Sequence, residues 1–252
     1  MDIQPVHGHP ALRIDNIIVI ADLHIGVESH LGSKGFHLPS RTSVMKDDLL
    51  KIADDATRLI VLGDVKDSVP GSTKQEYREI PDFFQAMLER FDIVDVIIGN
   101  HDTQIEDFLP KHVNVHPAFG LRIGDVGLVH GHTWPSSDVM SCRTLITAHN
   151  HPTVMFRDGV GKRTTEPCWF RAAFNDAESD YPEHPEEMII IPSFNRLLGG
   201  SPVNVQEEKF LGPLMNSSMI DIDRAQIFLL DGICLGRRKD IMVRGRDRPA
   251  CE

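Results

Sequence analysis

Short runs of apolar, mostly β-branched residues recur along the chain, and each of them ends in a polar cluster. The first run, residues 17–21, leads into Asp22-Leu23-His24. An apolar run of this length is typical of a strand that is buried on both faces. We predict that the polar ends of these strands lie together and form one site. The other runs and their polar ends are 59–62 before Gly63-Asp64, 94–98 before Gly99-Asn100-His101-Asp102, 128–129 before His130-Gly131-His132, and 145–148 before His149-Asn150-His151.

The spacing of apolar residues between these runs predicts the elements that connect them. Residues 11–20 predict a hairpin about Asp15-Asn16. Helical spacing follows Ser40, the predicted N-cap of a first helix, and Pro81 is predicted to open a second one. Strand, helix, strand, helix, strand is typical of parallel strands joined by crossovers. Residues 121–129 and 227–235 predict antiparallel hairpins, so the whole is a mixed α/β sheet system.

Three segments fit this pattern less well. Residues 25–38 contain three glycines and two histidines, which predicts a loop beside the site. Residues 157–187 carry charged residues punctuated by glycine and proline, which predicts a surface insertion. Residues 197–204 are rich in glycine but lack the Lys-Ser/Thr pair of a phosphate-binding P-loop, so their role stays open. We predict a single domain over residues 1–252 that ends in a basic tail, 237–252.

Composition narrows the class of protein and its surroundings. The formal net charge of −11 disfavours a protein that holds nucleic acid by overall electrostatic attraction. The basic tail is either a solvated terminus or a contact for phosphates. Four scattered cysteines without a CxxC pair indicate a reduced protein, and the first residues lack the features of a signal peptide. Because no apolar stretch is long enough to span a bilayer either, we expect a cytoplasmic protein with no membrane contact.

The polar strand ends carry residue types suited to metal binding. Two carboxylates, one amide and four imidazoles suit Mn²⁺ first, with Fe, Ni²⁺ or Zn²⁺ as alternatives. Seven ligands are too many for one ion, but they suit two ions that share a carboxylate. Such a pair holds a hydroxide for an in-line displacement at phosphorus, which predicts a dinuclear metal centre that hydrolyses phosphoesters. The predicted ligands are Asp22, His24, Asp64, Asn100, His130, His149 and His151.

Residues beside these ligands have predicted roles of their own. His101 follows Asn100 directly and is the predicted general acid for the leaving oxygen. Asp102 either orients His101 or caps the loop, and both readings stay open. Asp67 is predicted to support a ligand rather than to bind a metal itself.

Together the five blocks resemble the signature of the calcineurin-like metallophosphoesterase superfamily. That signature is D-x-H, G-D-x-x-D, G-N-H-D, H-G-H and G-H-x-H, and the blocks of this chain follow in the same order between residues 22 and 151. The single departure is Ala148, where the family usually has glycine, and it removes no ligand. Residues 21–38, 63–66 and 194–204 are also similar to the archaeal SbcD-related phosphoesterases.

The resemblance implies a fold, an activity and a division of the ligands. The implied fold is a four-layer α/β/β/α sandwich. The implied activity is metal-dependent hydrolysis of phosphodiesters, with DNA as the candidate substrate of a nuclease. The resemblance assigns Asp22, His24 and His151 to a first metal, Asn100, His130 and His149 to a second, Asp64 to both as a bridge, and the role of acid to His101.

Other functions stay open at this point. A small-molecule phosphomonoesterase or a cyclic-nucleotide phosphodiesterase would use the same site. In a different class, a catalytically weak protein-binding scaffold would keep the fold without the chemistry. The presence of His101 together with all seven ligands favours catalysis. A helicase or repair protein is a candidate partner, and the sequence does not fix the oligomeric state.

Overall fold

Two β-sheets and the helices beside them make up the part of the chain that the computed structural model describes, residues 1–175, 181–206 and 209–243. The first half of the chain contains β1 (Ile3–Pro5), β2 (Leu12–Ile14), β3 (Ile17–Ile20), α1 (Val27–Ser33), α2 (Thr42–Ile52), β4 (Arg58–Leu62), α3 (Lys74–Arg90), β5 (Ile93–Ile97) and β6 (Asn114–His116). The second half contains β7 (Leu121–Ile123), β8 (Val126–Leu128), α4 (Ser137–Met140), β9 (Thr144–Thr147), β10 (Pro152–Arg157), β11 (Arg163–Ala173), β12 (Glu187–Ile190), β13 (Ser201–Pro202), β14 (Gln226–Leu229) and β15 (Cys234–Arg237).

Both sheets are mixed. The first has the order β1-β2-β3-β4-β5-β6, in which β3 to β6 are parallel and β1 to β3 are antiparallel. The second has the order β13-β10-β11-β12-β9-β8-β7, with β14 on β11 and β15 on β14. Its strands β8, β9 and β12 are parallel. The parallel β3-β4-β5 unit and the hairpins β2–β3, β7–β8 and β14–β15 confirm the predicted sheet system.

Three apolar clusters separate the layers. Ile18 and Ile20 of β3 pack with α2 and α3, whereas Ile17 and Val19 lie in the layer between the two sheets. This alternation explains why β3 lacks polar residues, since both of its faces are buried. The outer face of the second sheet is covered by α4 and by irregular chain that includes Met215. The α/β/β/α order is therefore confirmed, and irregular chain forms much of its last layer.

Three local predictions in the first half are wrong. The predicted loop 25–38 contains the helix α1. Helix α2 begins at Thr42 with Arg41 as its N-cap. The Ser40 hydroxyl lies one residue earlier, where it accepts from the Thr42 amide at 3.2 Å and donates to Glu79 at 2.7 Å. Helix α3 begins seven residues before Pro81, because Thr73 and Glu76 form a capping box at its start. Pro81 therefore lies inside the helix.

The predicted surface insertion 157–187 contains strand β11 (Arg163–Ala173), which is part of the second sheet. Strand β11 pairs with β10 over its first half and with β14 and β12 over its second half. Cys168, Trp169 and Phe170 in the middle of β11 are buried. Residues 176–180, in the acidic part of the segment, lie outside the described residues.

The predicted basic tail is only partly within the described ranges. Arg244, Arg246 and Arg248 lie outside the described residues. Arg238 has a structural role, because it donates to the Val203 carbonyl at 2.7 Å and pairs with Asp223 at 2.8 Å.

No helix in the described ranges is both long and apolar enough to cross a bilayer.

Asp95 on β5 ties three parallel strands together and gives a test of the fold. Its buried carboxylate lies 2.7 Å from Arg58 on β4 and 2.7 Å from His116 on β6. Burial raises the pKa of Asp95, but its hydrogen bonds with His116 and Arg58 outweigh burial and hold the pKa below its ordinary value. We expect Asp95→Asn to lower the free energy of unfolding at neutral pH by about 1.5–3 kcal/mol, measured by urea denaturation.

The pH dependence of that effect follows from the sign of the pKa shift. A carboxyl with a lowered folded-state pKa stabilises the fold above its unfolded pKa, about 3.9, and loses this contribution as pH falls through the folded value. The gap between wild type and Asp95→Asn should therefore close in acid. Asp55→Asn is the matched control, because Asp55 is an exposed partner of Arg13. Equal losses for the two variants would contradict a structural role for the Asp95 cluster.

Candidate metal centre

The seven predicted ligand side chains come together at one edge of the two sheets. Strands β3, β4, β5, β8 and β9 all point their carboxyl ends there, and each is followed by one of the polar clusters. Asp22, His24 and His151 place one donor atom each within 4.8 Å of one another, and so do Asp64, His130 and His149. The remaining side chain, Asn100, has its Oδ1 3.2 Å from His130 Nε2.

Asp64 belongs to the second group and also contacts the first. Its Oδ2 lies 3.4 Å from His24 Nε2 and 3.3 Å from His130 Nε2. In the first group, His151 Nε2 is 3.3 Å from Asp22 Oδ1. Donor atoms at ~2.1 Å from a shared cation lie roughly 3.0–3.4 Å from one another, by simple geometry. These separations therefore fit donors arranged around cations.

Buried polar atoms without partners support the same fit. Both carboxylate oxygens of Asp22 and Nε2 of His24 are buried and accept or donate no hydrogen bond within the described part of the chain. A buried carboxylate without a hydrogen bond is costly, because it loses its hydration. A divalent cation between Asp22 and His24 would satisfy these atoms. The donor set thus fits divalent metal ions.

Two imidazoles are oriented by hydrogen bonds on their far sides. His130 Nδ1 donates to the Leu62 carbonyl at 2.7 Å, which leaves the lone pair on Nε2. His24 Nδ1 lies 3.1 Å from Asp67 Oδ1, so the same orientation follows when it donates to that carboxylate. Partners of this kind fix the tautomer and the ring orientation of metal-binding histidines. Asp67 accordingly contacts a predicted ligand from outside.

His101 lies beside the two groups and is held by two contacts. Its Nδ1 donates to the Asp67 carbonyl at 2.6 Å, and its backbone amide donates to Asp64 Oδ1 at 2.9 Å. The His101 and His24 ring centroids are 4.7 Å apart. Because the Asp67 carbonyl can only accept, Nδ1 of His101 carries a proton and Nε2 is the nitrogen available for proton transfer.

Asp102 resolves the choice that the sequence left open. Its buried carboxylate accepts hydrogen bonds from the amides of Gly99 and Val65, both at 2.8 Å. It thus joins the loops after β5 and β4 and makes no hydrogen bond to His101. Burial raises the pKa of Asp102, and the charge of Asp64 raises it further. Asp102 is a loop anchor.

The carboxylates of the site favour positive charge around them. Burial lowers the pKa of His24, but the nearby carboxylates of Asp64 and Asp67 outweigh burial and raise it to about 10. Burial also lowers the pKa of His130, and the charge of Asp64 raises it to about 9. Burial would raise the pKa of Asp64, but His130 and His24 hold it well below its ordinary value. Protons and metal ions compete for such a site, so metal affinity should rise with pH.

His149 behaves differently. Burial lowers its pKa, and the charge of His130 lowers it further, to about 4. Its imidazole is therefore neutral near pH 7 and has a lone pair available for a metal.

Backbone strain is concentrated at the predicted ligands. A left-handed backbone costs an ordinary residue on the order of 1–2 kcal/mol, and such residues often mark functional sites. The positive φ angles of ligand residues are 56° at Asp22, 40° at His24, 50° at Asp64, 66° at His149 and 41° at His151.

Close backbone approach explains one glycine of the motifs. A Cβ atom on Gly99 would lie 2.3 Å from both the amide nitrogen and Oδ1 of Asp64. A side chain at position 99 would therefore push Asp64 out of its place between the two groups.

Two asparagines near the site were not recognised from the sequence. Asn195 donates from its side chain to the Leu23 carbonyl at 2.9 Å, between two predicted ligands. Asn150 exchanges two hydrogen bonds with the backbone of Leu211, which places residues near 211 beside His149. Asn150 lies inside the H-N-H block, and this position between two predicted ligands was the signal in the sequence that could have identified it.

His132 also lies near the predicted ligands. Its ring centroid is 5.3 Å from that of His130, and its Nδ1 has no hydrogen-bond partner in the described ranges.

Comparison with known proteins assigns the chain to a protein family. The family model described as calcineurin-like phosphoesterase matches residues 16–190. That match covers more than half of the chain, so the chain belongs to the calcineurin-like phosphoesterase family. It is a metallophosphoesterase with a mixed two-sheet fold and His/Asp clusters consistent with divalent metal ions. A search of the curated proteins found no match.

Solved structures show the same fold. Nuclease MPE from Pseudomonas putida superposes with a TM-score of 0.56 at 18% identity, over 91% of this chain and 98% of that one. Yfce, a phosphoesterase from E. coli, gives a TM-score of 0.39 at 14% identity, over 88% and 97%. A metallophosphoesterase from Sphaerobacter thermophilus gives 0.35 at 14% identity, over 88% and 87%. The first likeness supports the fold alone, and the other two are too distant to add to it.

Proposed function

We propose that the protein is a dinuclear-metal phosphodiesterase. In this proposal Asp64 would be a ligand of both cations. The observation that carries it is the position of Asp64 Oδ2, within 3.4 Å of a nitrogen from each ligand group. The other ligands would be Asp22, His24 and His151 at the first cation and Asn100, His130 and His149 at the second.

The chain's own groups hold and protonate the substrate in this proposal. When bound, the two cations supply the positive charge that makes a water molecule acidic and that clamps the attacking and leaving oxygens of an in-line displacement. In its imidazolium form His101 would donate the Nε2 proton to the leaving oxygen and become a neutral imidazole, while its Nδ1 proton stays on the Asp67 carbonyl. Asp67 holds both His24 and His101, so one residue positions a ligand and the acid. The fixed position of His101 favours catalysis over a scaffold role.

A nucleic acid is the substrate class that we propose. Support comes from the resemblance of the sequence to SbcD-related phosphoesterases and from the shared fold with a protein described as a nuclease. Mn²⁺ is the proposed metal, because the donors mix carboxylate and amide oxygens with imidazoles.

A chelation experiment tests the proposed chemistry. We expect the purified protein to hydrolyse bis(p-nitrophenyl) phosphate with Mn²⁺, to lose this activity with a chelator, and to regain it when Mn²⁺ is returned. Single-stranded DNA, a cyclic nucleotide and p-nitrophenyl phosphate should be compared in the same assay. A protein that binds no divalent ion and leaves every diester intact would overturn the proposal. Hydrolysis confined to the monoester would overturn the substrate class.

A further inference from the structure

A cleft of about 600 Å³ lies beside the first ligand group. Pro152 and Thr153, which follow His151 directly, form part of its wall. The glycine-rich segment 198–200 and Arg196 form another part, and the Leu230-Asp231 turn closes the far side. A cavity of this size has room for a nucleoside, and its wall at Pro152 is one residue along the chain from the predicted ligand His151.

The segment that carries Arg196 is bonded to the backbone of the predicted ligands. The Phe194 amide donates to the Ala21 carbonyl at 2.8 Å, and the Asn195 amide donates to the Asp22 carbonyl at 3.4 Å. The Ser201 amide donates to the His151 carbonyl at 3.1 Å. Both ends of segment 194–201 are therefore fixed to the first ligand group, so the segment whose role was open holds Arg196 at a set position.

Arg196 and Arg41 form a local cationic pair in an acidic protein. Both line a small depression next to the cleft, together with His9 and Asp48. The Arg196 guanidinium donates to the Gly8 carbonyl at 2.9 Å. Within the described ranges neither arginine forms an ion pair, and Asp48 pairs with Lys51 at 3.3 Å. Burial lowers the pKa of His9, and the charge of Arg196 lowers it further, which places that charge close by.

We propose that Arg196 and Arg41 bind a non-scissile phosphate of a nucleic acid strand. The scissile phosphate would lie at the cations, the nucleoside between the two phosphates would occupy the cleft, and the strand would continue past the arginines. Guanidinium groups bind phosphates with paired, charge-assisted hydrogen bonds. Glu166 and Asp231 also line the cleft, so Arg196, the one arginine among the described residues of its lining, marks the end where a phosphate fits. This inference rests on the proposed phosphodiesterase function and names its substrate as a polymer.

The test compares a polymeric substrate with one that has a single phosphate. Arg196→Gln and Arg41→Gln are assayed with Mn²⁺ on a short single-stranded oligothymidylate and on bis(p-nitrophenyl) phosphate, over a series of salt concentrations. Each variant should lower kcat/KM for the oligonucleotide about tenfold. The slope of log(kcat/KM) against log[salt] should become shallower by about 0.7, the value for one lost contact to a single-strand phosphate. Hydrolysis of the small diester should stay unchanged.

A binding measurement separates this inference from the proposed function. Fluorescence anisotropy of a labelled oligothymidylate, measured with chelator present, should show the same tenfold loss for both variants. Arg143→Gln is the matched control, because Arg143 is an exposed arginine paired with Glu186. Equal losses on both substrates, an unchanged salt slope, or binding that does not depend on Arg196 would overturn the inference. Arginine-dependent binding without hydrolysis of any diester would instead count against the proposed function.

Discussion

Replacing Asp64 with asparagine is expected to weaken both cation sites at once and to lower kcat/KM for phosphodiesters about 10³-fold or more. The reason is the position of Asp64 Oδ2, which lies 3.4 Å from His24 Nε2 and 3.3 Å from His130 Nε2. Asparagine keeps the shape of the side chain and an oxygen for the His101 amide, but it removes the negative charge that the two groups share. Metal content measured by plasma mass spectrometry and activity on bis(p-nitrophenyl) phosphate are the two readouts.

Asp67→Asn provides the graded comparison for this prediction. Asp67 contacts His24 from its outer side, at 3.1 Å, and it is outside both ligand groups that contain Asp64 or Asp22. The loss of such an orienting partner costs about 10- to 100-fold in metal affinity, so the effect should be smaller and confined to the first site. Loss of one cation alone in Asp64→Asn would contradict the bridging role. Retention of both cations at wild-type affinity would contradict any role as a ligand.

The sequence predicts the strand ends well because burial leaves a simple pattern there. Residues 17–20 of β3 and 59–62 of β4 are covered on both faces and are all apolar, and the first polar residues after them mark the places where the chain leaves the core. Parallel pairing then brings those places to one edge. The closeness of Asp22, Asp64 and His149 thus follows from the pattern of apolar runs and from the rules of sheet topology.

The errors arise where tertiary contacts outweigh local signals. Pro167 lies inside β11, although proline usually marks an edge or an end of a strand. It sits where β11 changes neighbours, since Pro167 pairs with Thr153 of β10 and Cys168 pairs with Leu229 of β14. Pro81 lies inside α3, where it removes a hydrogen bond to Tyr77, a residue on the exposed side of the helix. The residues next to Pro167 and Pro81 in the sequence do not show where β11 changes neighbours or which side of α3 is exposed.

The role of Asp102 could not be predicted from the sequence, because it also depends on tertiary contacts. Its carboxylate binds amides from the loop after β5 and from the loop after β4, which lie more than thirty residues apart in the chain. Only the folded sheet brings these loops together. The sequence shows which residue types are present, whereas the choice between orienting His101 and joining two loops depends on where their backbones meet.

His101→Ala is expected to lower turnover of DNA by about 10²–10⁴-fold and to leave both cations bound. A general acid matters most when the leaving oxygen is a poor leaving group, as in a nucleoside alcohol. It matters little for nitrophenolate, which departs without a proton. The same variant should therefore hydrolyse bis(p-nitrophenyl) phosphate at nearly the wild-type rate. Parallel measurements of kcat on the two substrates give the ratio that checks this.

The alternative for His101 is a role as a metal ligand, because His24, Asp67 and His101 also place donor atoms within 4.8 Å of one another. If His101 were a ligand, His101→Ala would lose metal and would lose activity on both substrates. If His101 is the acid, the variant loses activity only on the substrate with the poor leaving group. The hydrogen bond from His101 Nδ1 to the Asp67 carbonyl favours the acid, since it aims the free nitrogen away from Asp67. His112→Ala, at an exposed histidine outside these groups, should change neither readout. Metal loss in His101→Ala would move His101 from acid to ligand.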